Sequence, residues 1–437
     1  MRQKPLWQPI VRQIALLLIL LVGAQVQANQ LLTIEVTSSQ TSAIPIAIPQ
    51  FANSVGRAKQ DIAAIIQEDL ARSGEFKPLK RDRMLSRPSS KEDVVLRDWR
   101  VLSMDYVLVG NITGEGDRIT VNFDLVNIET GKTLKLAQRA VSGKNWRALA
   151  HTISDLIYEK LLDKKGFFST EVLYISQDRS KQGNVYELQK ADADGYGATT
   201  LLRSKEPIMS PSWAPDGQHI AYVSYESSRP AIYVHNVITG EKRQVTKFSG
   251  INGAPDWSPD GRYLAMTLSK DGNPEIYLLE LQSGRFTRLT KHYAIDTEPR
   301  WAPDGKSIIF TSSRGGSPQI YQLDMSSRKV KRLTFEGDYN ARGTITPDGE
   351  HLVMVHRESG SFHIAVQDLK YGQMRVVTKT ALDESPTLAP NGQMIMFATE
   401  ENNRGMLSMV SLDGRTQVRL PSRTGEVREP AWSPFLR

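Results

Sequence analysis

At 437 residues and 40% apolar composition, the chain is long enough for two or three domains with cores of their own and too apolar to be disordered. It has no cysteine, which excludes disulfides, thiolate metal sites, a cysteine nucleophile and an N-terminal lipid attachment. The formal net charge of +7 falls to +4 once the three bases of the N-terminal leader are set aside. No long Lys/Arg block occurs, so no nucleic-acid partner is expected.

Residues 1–28 read as a signal peptide. Arg2, Lys4 and Arg12 form a basic start, Ile14 to Val22 is an uncharged apolar run, and Val26-Gln27-Ala28 offers the small residues of a cleavage site after Ala28. The run falls short of the roughly 20 apolar residues a spanning helix needs. The mature protein is therefore expected to be exported and to lack a transmembrane segment, with an uncleaved anchor as the alternative.

Residues 29–165 are expected to form a small α/β domain. Leu31 to Val36 alternates apolar and polar residues, and Ile44 to Phe51 carries Pro45 and Pro49, which suits an edge strand or a strand end. Val55 to Arg72 has Ile62, Ile65, Ile66 and Leu70 at helical spacing, with Ser73-Gly74 as the stop. Tyr106 to Val109, Ile119 to Asn127 and Lys132 to Leu136 read as strands. Asn145 to Leu162 reads as a second amphipathic helix. Together these predict helices packed on a mixed sheet.

Residues 166–437 carry a repeat. Trp213-Ala-Pro-Asp-Gly recurs from Trp257, from Trp301, in weaker form from Ile345 and Leu388, and in part at Trp432-Ser433-Pro434. The prolines fall 44, 44, 44, 43 and 44 residues apart. Pro-Asp-Gly is turn chemistry: proline sets φ, Asp caps its own backbone and Gly accepts positive φ. Each unit holds four β-rich runs, which at this period predicts propeller blades. Three further runs, Glu171 to Ser176, Val185 to Gln189 and Thr199 to Arg203, lack a first strand, and Glu429 to Ser433 at the far end supplies it. The expected architecture is an N-terminal α/β domain followed by an all-β six-bladed β-propeller closed by the C-terminal strand. The repeated tryptophans and aspartates are expected to be structural.

A search for chemistry finds no Gly-x-Ser-x-Gly elbow, no His-Glu-x-x-His and no histidine pair at ligand spacing. Asp192-Ala193-Asp194-Gly195 lacks the remaining ligands of a calcium loop and reads as a plain turn. No catalytic residue, metal or cofactor is expected. An enzyme and a sugar-binding propeller remain as rival readings.

The leader, the small α/β domain and the Trp-x-Pro-Asp-Gly blades together resemble the TolB family, periplasmic components of the Tol–Pal system of Gram-negative bacteria. More specific strings carry the resemblance: Leu202 to Pro211, Asn252-Gly253-Ala254-Pro255, Thr297-Glu298-Pro299, Leu382-Asp383-Glu384-Ser385-Pro386 and Pro430-Ala431-Trp432-Ser433-Pro434. The resemblance implies a monomeric periplasmic protein that binds the lipoprotein Pal through one propeller face and TolA through its mature N-terminus. It also implies outer-membrane proteins and colicins as further partners. The implied role is in outer-membrane integrity and envelope constriction at division. Carried onto this sequence, the Pal-binding residues are Asn252, Ala254, Thr297 and Glu298, with Met209, Asp383 and Glu384. Ile251 stands where the family pattern has histidine. The TolA-binding strand is Asn29, Gln30, Leu31, Leu32, Thr33, Ile34, Glu35, Val36 and Thr37. Its alternation suits either addition to a partner's sheet edge or folding back onto its own protein.

Independently of the resemblance, loops joining the fourth strand of one blade to the first of the next converge on one mouth of the channel. Loops on a rigid scaffold are where binding residues concentrate. The segments are Pro207 to Ser210, Ser249 to Ala254, Ile295 to Glu298, Tyr339 to Arg342, Ala381 to Ser385 and Gly425 to Arg428.

Overall fold

The computed structural model describes residues 33–36, 43–54, 61–115, 118–136, 139–142, 145–180, 183–380, 382–420 and 425–436. The expected signal peptide, and Asn29 to Leu32 and Thr37 of the expected TolA-binding strand, lie outside the described residues.

After β1 (Thr33–Val36), the α/β part runs β2 (Ile44–Ala47), β3 (Ala52–Asn53), α1 (Ile62–Ser73), β4 (Phe76–Pro78), α2 (Leu96–Val101), β5 (Tyr106–Glu115), β6 (Arg118–Asn127), β7 (Thr133–Lys135), β8 (Arg139–Ser142) and α3 (Trp146–Leu162). Asp61 starts α1 by accepting the Ala64 N–H at 3.1 Å, and Gly74 ends it at φ 75°. The left-handed conformation there is one that glycine adopts without strain. The sheet order is β4-β2-β5-β6-β7, with β3 on β5 and β8 on β6. β2 is parallel to β4 and β5, while β5, β6 and β7 are antiparallel, so the sheet is mixed as expected.

One local reading narrows and one element is new. β2 is not an edge, since it lies between β4 and β5, but Pro45 stands near its start, as the strand-end reading has it. Ile44 N donates to Glu75 O at 2.9 Å and Pro45 O accepts from Asp105 N at 3.0 Å, so this four-residue strand is anchored without a donor at Pro45. The short helix α2 was not anticipated. It closes one face of the sheet by burying Trp99 against Val107, Val109, Val126 and Ile128.

The remaining strands form six four-stranded sheets around an axis. Blade 1 is Ile208–Trp213, His219–Ser224, Ala231–Asn236 and Lys242–Gln244, paired in that order. Blades 2 to 5 repeat it from Asn252–Trp257, Asp296–Trp301, Asn340–Ile345 and Glu384–Leu388. Blade 6 joins Glu171–Ser180, Gly183–Asp192 and Thr199–Ser204 to the closing strand Glu426–Trp432, which pairs antiparallel with Glu171–Ser180. The ring therefore closes as expected, with a closing strand that starts three residues earlier than the sequence suggested. Closure leaves no open inner edge.

Successive blades share apolar cores, and strand alternation explains how. Ile220 and Tyr222 pack toward Leu173, Ile175 and Leu188 of blade 6. Their neighbours Ala221 and Val223 pack toward Leu264, Met266 and Leu268 of blade 2. Alternate side chains leave opposite faces of a strand, so the second strand of each blade is buried on both sides. The Pro-Asp-Gly aspartates cap their own turns as expected: Asp216 accepts from Gln218 N at 2.8 Å and Asp304 from Lys306 N at 2.9 Å. A second repeat closes blades 1 to 4 from outside. Thr246, Thr290, Thr334 and Thr378 accept the backbone N–H of Ile232, Ile276, Ile320 and Ile364 at 2.9–3.0 Å.

β1 pairs antiparallel with Thr416–Arg419 and so becomes a fifth strand on the outer edge of blade 5. Among the described residues no helix is long and apolar enough to cross a membrane.

Candidate functional site at the channel mouth

Each innermost strand begins at one mouth of the channel and carries a bulge near that end. Register slips occur after Met209, Gly253, Thr297, Ala341, Glu384 and Arg428. The residue after each slip has positive φ: Ser210 50°, Ala254 47°, Glu298 55°, Arg342 54°, Ser385 54° and Glu429 50°. Non-glycine residues rarely adopt this conformation, and bulges of this kind re-aim side chains at functional sites. All six line a single cavity of about 180 Å³ at the mouth, together with Ile251, Thr297 and the following prolines.

Polar contacts across blades hold the ring. Glu298 N–H donates to Thr267 Oγ1 at 3.2 Å, and Arg342 N–H to Thr311 Oγ1 at 3.0 Å. Ser210 N–H donates to the Glu429 carboxylate. Arg342 pairs with Glu298 at 3.0 Å and donates to Ser385 Oγ at 2.7 Å. Burial works against the Arg342 charge, but Glu298, Glu429 and Glu384 outweigh it and hold the guanidinium above its ordinary pKa. The ring thus sets the Arg342 cation between two of its own carboxylates, Glu298 and Glu429, with Glu384 close by.

Exposed apolar side chains surround this polar centre. Ile251 is 47% exposed, Ile295 51% and Leu382 43%, each three residues before a ring residue, and Met209 stands beside Ser210. Phe335 and Tyr293, in the connections entering blades 4 and 3, are more exposed still. Single exposed apolar residues are ordinary, whereas several gathered on one face mark an interaction site.

The sequence-predicted residues divide into three groups. Ala254, Thr297 and Glu298 line the cavity. Met209 is exposed at its rim, and Glu384 is exposed in a neighbouring groove of about 410 Å³ with Leu382 and Arg428. Asn252 and Asp383 are buried. They occupy one register position, shared with Asp296 and Asn340, and staple the loop behind the mouth. Asn252 Nδ2 donates to Phe248 O at 2.8 Å, while Asp383 accepts from the hydroxyls of Thr378 and Thr380. Sequence reasoning did not single out Ser210, Arg342, Ser385 and Glu429. A signal existed: in five of the six inner strands a proline follows the ring residue, at the blade period, and only Arg342-Gly343 departs.

Below the ring the half-buried Asp256 carboxyl pairs with Arg300 at 2.8 Å and accepts the Trp301 N–H at 2.8 Å. Burial pushes its pKa up. At the opposite end Trp213, Trp257, Trp301 and Trp432 line a second cavity with the turn prolines. Trp213 Nε1 donates to Ala431 O at 3.2 Å and Trp432 Nε1 to Thr170 Oγ1 at 2.7 Å. Asp348, Glu350 and His351 bring ligand-type atoms together on an exposed turn. The Asp348 carboxylate there is already engaged by Glu350 N–H and Thr346 Oγ1, so it caps the turn.

A small mixed-sheet domain followed by a closed six-bladed propeller, with a bulged and apolar-rimmed mouth, defines a two-domain propeller scaffold rather than a bare repeat ring. Residues 158–436 match the family described as the TolB beta propeller domain, and residues 32–134 match the TolB amino-terminal domain. The chain is 56% identical over 413 residues to the Tol-Pal system protein TolB of Alcanivorax borkumensis, covering 94% of this chain and 95% of that one. It is 58% identical over 405 residues to that of Pseudomonas putida, covering 92% and 94%. The crystal structure of TolB from Acinetobacter baumannii superposes with a TM-score of 0.86 at 42% identity, covering 93% of this chain and all of that one. The chain belongs to the TolB family of the Tol–Pal system.

Proposed function

We propose that this protein is a non-catalytic, periplasmic interaction protein of the Tol–Pal system. It binds the lipoprotein Pal at the channel mouth and TolA through its mature N-terminus, and so supports outer-membrane integrity and envelope constriction at cell division. The observation that carries the first contact is the ring of six bulged residues rimmed by exposed Met209, Ile251, Ile295 and Leu382. Apolar anchors around a polar, pre-shaped centre are the anatomy of a protein interface. In this reading Ala254, Thr297, Glu298, Met209 and Glu384 touch the partner, while Asn252 and Asp383 act by holding the loops. The same face would take colicins, and outer-membrane proteins are further candidates.

For the second contact, the pairing of β1 with the outer edge of blade 5 supports a strand that exchanges its own protein's edge for a partner's. Pal binding would bias that exchange only through different affinity for the two states.

Capture from envelope extract tests both contacts. The full chain is expected to retain Pal and TolA. Ala254→Arg, which fills the mouth, is expected to lose at least about tenfold in Pal affinity, and deletion of Asn29 to Thr37 to lose TolA alone. Undiminished Pal capture by Ala254→Arg would show that the site is elsewhere. Undiminished TolA capture by the deletion would remove the strand from the proposal.

A further inference from the structure

Two helices of the α/β domain, α1 and α3, meet the propeller at a cluster of buried and half-buried charges. From α1 come Asp69 and Arg72, and from α3 come Arg147, His151 and Ser154. The turn after Gly183–Asp192 of blade 6 brings Asp192 and Asp194. Asp69, Arg72 and His151 are 0%, 1% and 2% exposed. Arg72 donates to Asp69 Oδ1 at 2.8 Å and lies 3.6 Å from Asp194. Arg147 bonds the Asp194 carboxylate, reaches Asp192 at 3.3 Å, and stacks over the Tyr196 ring at 4.0 Å.

Charge counting decides the state of His151. Three carboxylates face two guanidiniums, so the cluster is neutral only when the imidazole is protonated. Both ring nitrogens face carboxylates: Nδ1 is 2.8 Å from Asp69, and Nε2 is 3.7 Å from Asp192 and 4.0 Å from Asp194. A neutral ring would turn a lone pair toward one of them. An uncompensated charge buried at such a junction is costly. The other groups around the cluster are Glu68 on α1, whose pKa burial raises, Asp155 on α3, and Ser154, which donates to Asp69 at 2.8 Å. Arg147 Nη2 also approaches Nε2 at 3.4 Å and opposes the imidazolium.

We propose that this cluster is a latch that docks the α/β domain on the propeller, closed by the His151 imidazolium and released at alkaline pH. A bound cation is not needed to explain the site, because the guanidiniums already occupy the carboxylate oxygens. Burial depresses the His151 pKa, but Asp69, Asp192 and Asp194 override it and push it up to about 9. A histidine whose folded pKa is raised adds stability that is complete below its ordinary value of about 6.5 and lost as pH rises through the folded one. Docking is therefore firmest below about pH 6.5 and loosens progressively as pH rises from there to about 9.

Hydrogen exchange on the full chain, corrected for the intrinsic pH dependence of exchange, tests this. Peptides from residues 66–76, 147–158 and 188–197 are expected to lose protection on the order of tenfold between pH 7.5 and 9.5, while blade 3, residues 307–324, stays unchanged. His151→Gln is expected to be loosened already at pH 7.5 and to show no further change with pH. The double variant Asp69→Asn/His151→Gln removes one charge of each sign. It is expected to regain protection and to remain flat with pH. If the wild type is flat, or His151→Gln keeps the wild-type profile, the latch does not exist. If added zinc protects the wild type and not His151→Gln, the cluster is a metal site instead.

Discussion

The two ends of the innermost strands make an instructive contrast. At one end the residues repeat: tryptophan in four blades, then a turn in which Asp or Asn caps the backbone and proline packs on the next blade. Cβ atoms placed on Gly261 and Gly392 would meet Pro215 and Pro347 at 3.3 and 2.9 Å. At the other end the backbone repeats as faithfully, with six positive φ values between 47° and 55°, yet the side chains are Ser, Ala, Glu, Arg, Ser and Glu. Repeated chemistry marks the end that closes the ring. Varied chemistry on a repeated backbone marks the end that presents a surface, because six identical blades would otherwise show a partner six identical faces.

The contrast breaks most strongly at ring closure. Trp432 is 6% exposed, meets Phe167 edge-on at 5.7 Å and donates to Thr170. Its N–H also donates to Thr387 Oγ1 of blade 5 at 3.0 Å. Trp432→Ala is expected to cost about 3–5 kcal/mol by cavity formation, read as a lowered denaturant midpoint. A loss below about 1 kcal/mol would mean that the tryptophan end does not carry closure.

The same contrast explains what the sequence made legible. The blades could be counted because turn chemistry is local: proline, Asp and Gly state their backbone requirement wherever they stand. Ring closure followed from an unpaired set of strands. The mouth was located as a set of loops, but four of its six ring residues were not singled out, since a bulge imposes a conformation without imposing a residue type. Asn252 and Asp383 were named as contact residues through the family resemblance, and here they are buried and bond their own loops. Of the two readings that proline allowed for Ile44 to Phe51, an edge strand or a strand end, the second holds, with Pro45 second in β2. Of the His151 cluster only Asp192 and Asp194 drew notice, as a turn, since His151 and Asp69 lie 82 residues apart and meet only when two domains dock.

A mouth substitution sharpens the contrast from the other side. Ile251 is exposed, and its backbone N–H is held by Ser269 Oγ at 2.7 Å, whatever its side chain. Ile251→Asp is expected to leave the denaturant midpoint within about 0.5 kcal/mol, as exposed substitutions do. Titrated with purified Pal, it is expected to weaken binding by about 1–2 kcal/mol, since it sets a charge in an apolar rim beside Glu298. Equal affinity would remove the rim from the interface. A large stability loss would erase the distinction between the two ends.

The smallest effect is expected one layer beneath the mouth. Asp383 shares its register position with Asn252 and Asn340, so the fold already accepts an amide there. Burial pushes the Asp383 carboxyl up, only partly offset by the Thr378 and Thr380 hydroxyls. A carboxyl with a raised folded pKa takes up its proton earlier in the folded state, so stability rises as pH falls through that raised value toward the ordinary carboxylate value. Asp383→Asn keeps an acceptor, while the Thr378 hydroxyl, which already accepts from Ile364 N–H at 2.9 Å, has lone-pair capacity for the new donor. The variant is expected to change stability by less than about 1 kcal/mol at pH 7.5 and to flatten the acid-side rise, measured by denaturation from pH 7.5 down to about 4. A loss above about 2 kcal/mol at pH 7.5 would show that blade 5 needs the ionised carboxylate, and that this position is not the interchangeable loop staple its neighbours suggest.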